Sequence, residues 1–243
     1  MNRKILGEII EGLEEREIVS AHIGYFSTAV VSDGPGGRRC GLATTLRSGP
    51  CAGPVGGAGS LAGRPARELA RLALEGGGPG TSLGMAAINS ALSPEDCETV
   101  NAEALLAERG RGRNVAVIGH FPFTGRLREL AKELWVFELE PKDHRDLPPE
   151  RMAELLPRAD ALALTALTLL NGTFGEIIRL CRPDAFKLVL GPSAPLSPVL
   201  FRHGMDAVGG TRVEDIPALT RALAEGANFR GLPGKKMVVL RKK

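Results

Sequence analysis

From residue 114 onward, short apolar runs alternate with amphipathic stretches, and this alternation constrains the fold more than any other feature of the chain. Asn114-Val-Ala-Val-Ile-Gly119, Leu134-Trp-Val-Phe-Glu-Leu139, Ala161-Leu-Ala-Leu-Thr165 and Phe186-Lys-Leu-Val-Leu-Gly191 are nearly continuous in apolar residues. A strand without polar alternation is buried on both faces, as in a parallel sheet covered by helices. A fifth strand falls near residues 206–210 and a last at 237–240. Helical patterns lie at 125–133, 150–156, beyond Asn171-Gly-Thr173, and at 213–225. The expected fold class is α/β, with residues 111–243 forming a Rossmann-like, doubly wound parallel-sheet domain.

Residues 1–110 have a different texture and read as a small α+β domain. Ile5, Leu6, Ile9, Ile10 and Leu13 share one helical face. β-type runs at 18–25, 28–32 and 39–46, around the turn Asp33-Gly-Pro-Gly-Gly37, predict an antiparallel meander. One helix starts near Pro65, and another after Thr81 or Ser82, either of which can cap it. Between them, residues 47–64 hold six glycines in eighteen. That stretch reads as a mobile loop, either filler or a lid over a site. Arg109-Gly-Arg-Gly-Arg113 is the natural joint between the halves.

Charge and composition exclude several classes. The net charge of +3 comes from Lys235, Lys236, Arg241, Lys242 and Lys243; without them the chain is slightly acidic. Aromatics are 4% of residues, too few for base-stacking platforms. No nucleic-acid partner is expected. Glu8 and Glu11 interrupt any signal-peptide core, and the longest apolar stretch, 161–170, is half a membrane span. The expectation is a cytoplasmic protein with no membrane partner. Cys40, Cys51, Cys97 and Cys181 make no C-x-x-C pair.

Ligands of an open parallel sheet bind beyond the carboxyl ends of its strands. Small, polar and proline residues gather at four of those ends: Gly119-His-Phe-Pro-Phe123, Glu138, Thr165 with Asn171-Gly-Thr173, and Gly191-Pro-Ser-Ala-Pro-Leu196. The first turn lacks the second glycine of a dinucleotide fingerprint, and Pro122 lacks an N–H, which argues against NAD or FAD. Glu138, nineteen residues after Gly119, has the spacing of a ribose-binding acid. His120 at a strand end can ligate a metal or move a proton. Ser193 can offer a hydroxyl to an anion but has no partner at a nucleophile spacing.

Together, Gly84-Met-Ala-Ala-Ile-Asn-Ser90, Ile118-Gly-His-Phe-Pro-Phe123, Val136-Phe-Glu-Leu139, Leu156-Pro-Arg-Ala-Asp160, Leu170-Asn-Gly-Thr173 and Gly191-Pro-Ser-Ala-Pro-Leu-Ser-Pro198 give the chain its family resemblance. It resembles the heavy-metal chelation proteins, formerly a domain of unknown function, over nearly its whole length. The resemblance implies an enolase N-terminal-like domain before the Rossmann-like domain, with a site in the cleft between them. It also implies handling of a metal or metallo-ligand. The motif positions carried over are His120, Phe121, Pro122, Glu138, Asn171, Thr173, Gly191, Pro192, Ser193, Pro195, Leu196 and, from the first half, Asn89; Gly119 and Thr165 join them from the strand-end pattern. His120 and Glu138 are the expected ligands of a divalent transition metal or the acid/base groups. Ala194 departs from the family, which often has a small hydroxyl residue there, and residues 47–64 look like an insertion. Two other readings stay open: an enzyme or sensor for a nucleoside-type ligand with Glu138 on the ribose, and a non-catalytic module acting as a homodimer scaffold.

Overall fold

The computed structural model describes residues 1–49, 52–93 and 96–242. Cys51, part of the glycine-rich stretch, and Lys243 lie outside the described residues. The meander expected in the first half is present. β1 (Glu17–Ile23), β2 (Ser27–Asp33) and β3 (Arg39–Thr44) form an antiparallel sheet in that order. Residues 28–32 of β2 are all buried, because helices cover both faces of this sheet. On one face lie α1 (Asn2–Glu11), α2 (Ala66–Ala70) and α3 (Gly78–Ala91). On the other, Ala29, Val31 and Leu42 pack against Leu219 and Leu223 of α10 (Ile216–Ala224), a helix from the far end of the chain.

The second half is an α/β layer structure. β4 (Asn114–Ile118), β5 (Glu133–Phe137), β6 (Ala161–Thr165), β7 (Phe186–Leu190), β8 (Ala207–Val213) and β9 (Lys235–Arg241) form one sheet in the order β5-β4-β6-β7-β8-β9. β5 through β8 run parallel, as their apolar runs predict. β9 does not: it pairs antiparallel with β8, from Ala207↔Arg241 to Val213↔Lys235. Its helices are α4 (Ala102–Gly110), α5 (Thr124–Leu130), α6 (Met152–Leu155), α7 (Leu167–Leu170), α8 (Phe174–Leu180) and α9 (Val199–Arg202).

The two sheets share a core. Ile5 and Ile9 of α1 and Met85 and Ile88 of α3 belong to the same buried cluster as Leu164, Phe174 and Leu200. Asn2 clips the contact: its Nδ2 donates to the Thr168 carbonyl at 2.8 Å, and its Oδ1 accepts the Gly175 N–H at 3.1 Å. Among the described residues no helix is long and apolar enough to cross a membrane.

Two local expectations need correction, and one helix was not expected. α3 starts at Gly78, so Thr81 and Ser82 are buried inside it and cap nothing. Thr81 Oγ1 donates to the Gly77 carbonyl, and Ser82 Oγ accepts the Leu46 N–H at 2.8 Å. α4 has no counterpart in the hydrophobic pattern; its Asn101 side chain caps the Glu103 N–H. The described part of 47–64 lies on the protein: Val55 and Leu61 pack on the core, and Gly63 donates to the Ile18 carbonyl at 2.8 Å.

Candidate functional site at the switch point of the large sheet

β4 has β5 on one side and β6 on the other, so the connections leaving β4 and β5 diverge from those leaving β6. At such a switch point the carboxyl ends of the strands open a crevice. A cavity of about 500 Å³ sits there. Its wall is largely apolar, with Ile118, Phe121, Phe137, Met152, Ile177 and Leu180. Both the size and the apolar wall match a site for a small organic molecule, about 300–1,000 Å³.

Gly119 turns the chain out of β4 with φ +95°, a conformation a side chain would strain. The turn aims the His120 N–H at Glu138, whose Oε2 accepts it at 2.9 Å, while Oε1 accepts the Leu139 N–H at 2.8 Å. Glu138 therefore ties the ends of β4 and β5 together. The segment after β5 folds back, with the Leu147 N–H donating to the Val136 carbonyl at 2.7 Å and the Glu138 N–H to the Leu147 carbonyl at 3.1 Å. This return carries Asp146 to His120. The imidazole Nδ1 lies 3.0 and 3.2 Å from the two Asp146 oxygens. Asp146 Oδ2 also accepts the backbone N–H groups of Lys142 (2.8 Å) and Asp143 (3.0 Å). Its side chain is 1% exposed. Burial opposes ionisation there, yet those amides and His120 hold its pKa below the ordinary aspartate value. With Nδ1 turned to Asp146, which is behind the cavity wall, Nε2 is the ring nitrogen left for the cavity.

The expected site residues divide between two places. Gly119, His120, Phe121, Glu138, Thr165, Asn171 and Thr173 all line the switch-point cavity. Asn171 and Thr173 stand at its rim in a turn closed by Asn171 Oδ1, which accepts the Thr173 N–H and hydroxyl. Pro122 is exposed beside the cavity. The Gly191–Leu196 stretch and Asn89 are elsewhere, in the seam between the sheets. Ser193 Oγ accepts the Thr44 N–H of β3 at 2.9 Å. Asn89 Nδ2 donates to the Leu42 carbonyl of β3 at 2.8 Å. A smaller cavity of about 160 Å³ adjoins them, lined by Arg39, Cys40, Asn89, Ala194, Leu196 and Arg212. Asp146 was not singled out by the sequence; it sits in the charged run Lys142-Asp-His-Arg-Asp146, which looks like solvated loop.

The donor set decides whether a bare metal ion fits. A protein metal centre needs three or four converging ligands. Among the described residues no group of three His, Cys, Asp or Glu side chains could hold an ion. Glu138 holds two backbone amides, Asp146 holds two more and the His120 Nδ1, and Glu150 and Glu176, which also line the cavity, do not converge with them into such a group. The residues do not fit a resident metal centre built by the protein alone.

Fold and cavity define an α/β protein with a Rossmann-like sheet and a largely apolar cavity at its switch point. Residues 7–92 and 101–242 match two family models, each described as "Putative heavy-metal chelation", and the chain belongs to that family. A crystal structure of a family member of unknown function from Desulfitobacterium hafniense matches with a TM-score of 0.83 at 23% identity, covering 98% of each chain. Another from Pyrococcus horikoshii gives 0.82 at 22%, covering 100% of each. An uncharacterized protein of Methanocaldococcus jannaschii is 28% identical over 143 residues, 56% of this chain and 55% of the relative. The match thus spans about half the length of that curated relative.

Proposed function

We propose that this chain takes part in heavy-metal chelation by binding an organic chelating molecule, not the bare ion, in the switch-point cavity. One observation carries the reading: an apolar cavity of about 500 Å³ offers a single oriented imidazole, with no set of three ligating side chains among the described residues. A bare divalent ion finds too few donors there. A planar aromatic chelator brings its own donors and needs an apolar slot with one polar contact to orient it. The nucleoside-type reading is less well supported, because Glu138, the acid a ribose would need, already holds two backbone amides.

Isothermal titration with Zn²⁺, Ni²⁺, Co²⁺ and Fe²⁺ salts, and separately with nitrocatechol as an aromatic chelator, tests the proposal. Nitrocatechol should bind at one equivalent and fail to bind Ala153→Trp, which fills the cavity from its wall. The bare ions should show no stoichiometric site. Stoichiometric binding of a bare ion by both proteins, with nitrocatechol unbound, would overturn the reading.

A further inference from the structure

We propose that His120 and Asp146 act as a carboxylate–imidazole pair that removes the proton from an acidic aryl hydroxyl of the molecule held in the switch-point cavity. The inference rests on the organic-ligand reading above and adds the chemical class of that ligand and the residue that ionises it.

The geometry assigns the tautomer. Asp146 presents both oxygens to Nδ1 and nothing there can donate a proton to it, so the neutral ring keeps its proton on Nδ1. Nε2 then carries the lone pair toward the cavity. Asp146 is locked by the Lys142 and Asp143 amides and is 1% exposed, so ring orientation and tautomer are set before any ligand arrives. A carboxylate behind an imidazole fixes the ring's orientation and balances the charge of the imidazolium once formed.

The step balances without a co-reactant. The aryl O–H bond breaks and its electron pair stays on oxygen. The proton forms a bond to Nε2, and the resulting imidazolium shares its Nδ1 proton with Asp146, which stays ionised. Proton transfer of this kind needs the acid and base to be close in strength. Aryl and enolic hydroxyls meet that condition with an imidazole; aliphatic hydroxyls are far too weak. The charges facing the cavity favour a ligand that enters neutral. Glu138 and Lys142 from the segment after β5, Glu150 ahead of α6 and Glu176 of α8 supply three carboxylates against one ammonium. A pre-formed anion would be repelled, whereas an anion made beside His120 has the imidazolium as its counter-charge. Ionisation also turns such a hydroxyl into a metal donor, which links the pair to chelation chemistry.

The visible spectrum of nitrocatechol reports its ionisation, so one pH titration separates binding from proton transfer. Bound to the native protein, its apparent pKa should fall by about 1–2 units, the effect of an adjacent opposite charge. His120→Gln keeps a polar side chain facing Asp146 but takes no proton; nitrocatechol should still bind and the shift should vanish. Asp146→Asn should lose about tenfold of the preference for the ionised form, one pKa unit. Binding by the native protein without a shift, or an equal shift in His120→Gln, would overturn this inference and leave the chelator reading standing. Failure of nitrocatechol to bind at all would overturn both. Nitrogen NMR of the native protein gives an independent check that needs no variant to fold: the neutral ring should be protonated on Nδ1, and the Nε2–H tautomer would refute the pairing.

Discussion

Ser193→Ala separates a structural role for the Gly191-Pro-Ser-Ala-Pro-Leu stretch from a ligand-binding one. β3 is the terminal strand of the small sheet, and an edge strand presents unpaired backbone groups. Two of these are capped from outside: Ser193 Oγ takes the Thr44 N–H at 2.9 Å, and Asn89 Nδ2 takes the Leu42 carbonyl at 2.8 Å. Ser193 is 1% exposed, so water does not reach the site to replace a lost hydroxyl. Removing the partner of a buried donor costs about 1–3 kcal/mol. With a urea m-value near the top of the usual ~1–3 kcal/mol/M, a loss of about 2 kcal/mol lowers the unfolding midpoint by roughly 0.7 M. The same loss lowers Tm by roughly 4–8 °C in a chain of this size. The assay is urea unfolding followed by far-UV circular dichroism and Trp135 fluorescence, with nitrocatechol binding measured on the folded variant. Ser193 does not line the switch-point cavity, so affinity should be unchanged. Native stability combined with lost binding would refute the edge-capping argument and return Ser193 to the ligand.

Three further outcomes follow from the same geometry. Glu138→Ala should destabilise by about 1.5–3 kcal/mol, since two amide bonds to a charged acceptor are lost, while Glu138→Gln keeps one acceptor oxygen and should lose less; equal midpoints in urea for both variants would contradict this. Asp146 is held below the ordinary aspartate value of about 3.9, so its contribution is fully present above that pH and is lost as pH falls through its lower native value; acid unfolding of Asp146→Asn should lack this component, and superimposable profiles would refute it. Burial pushes the Cys40 thiol up to about 12, and those of Cys97 and Cys181 up to about 11, so iodoacetamide at pH 8 should label these positions far more slowly in native than in unfolded protein; equal labelling of Cys40, read by peptide mapping, would contradict its burial.

Much of the fold was legible because burial on both faces leaves a plain signature. Val115–Ile118, Ala161–Leu164 and Leu188–Leu190 are continuous apolar runs and are the buried centres of β4, β6 and β7. Strand direction is not written in such a run, which is why β9 reads like its neighbours and pairs antiparallel. Gly78-Pro-Gly80 looks like a loop by propensity, yet every residue of α3 but Pro79 and Asn89 is buried, and packing draws the helix back through the glycines. α4 carries Glu103, Glu108 and Arg109 on a short helix with little segregation of polar and apolar faces, so periodicity gave it no signal.

The candidate site was legible only where strand ends announce it. His120, Glu138 and Thr165 could be placed because each terminates an apolar run, and all three line one cavity. Asp146 lies 26 residues from His120 in a loop whose shape depends on the return of Leu147 onto Val136. No local pattern couples two such positions. The distinctive strings fall in two structural settings, since motif strength does not distinguish ligand chemistry from fold chemistry. Gly119-His-Phe-Pro-Phe123 opens the cavity, while Gly191-Pro-Ser-Ala-Pro-Leu196 and Asn89 close the edge of β3. A buried hydroxyl facing an edge strand and an imidazole facing a cavity are equally demanding of residue type. Only the atom at the other end of the hydrogen bond tells them apart: for Ser193 it is the backbone of the same chain, and for His120, which lines the cavity, no described residue bonds Nε2.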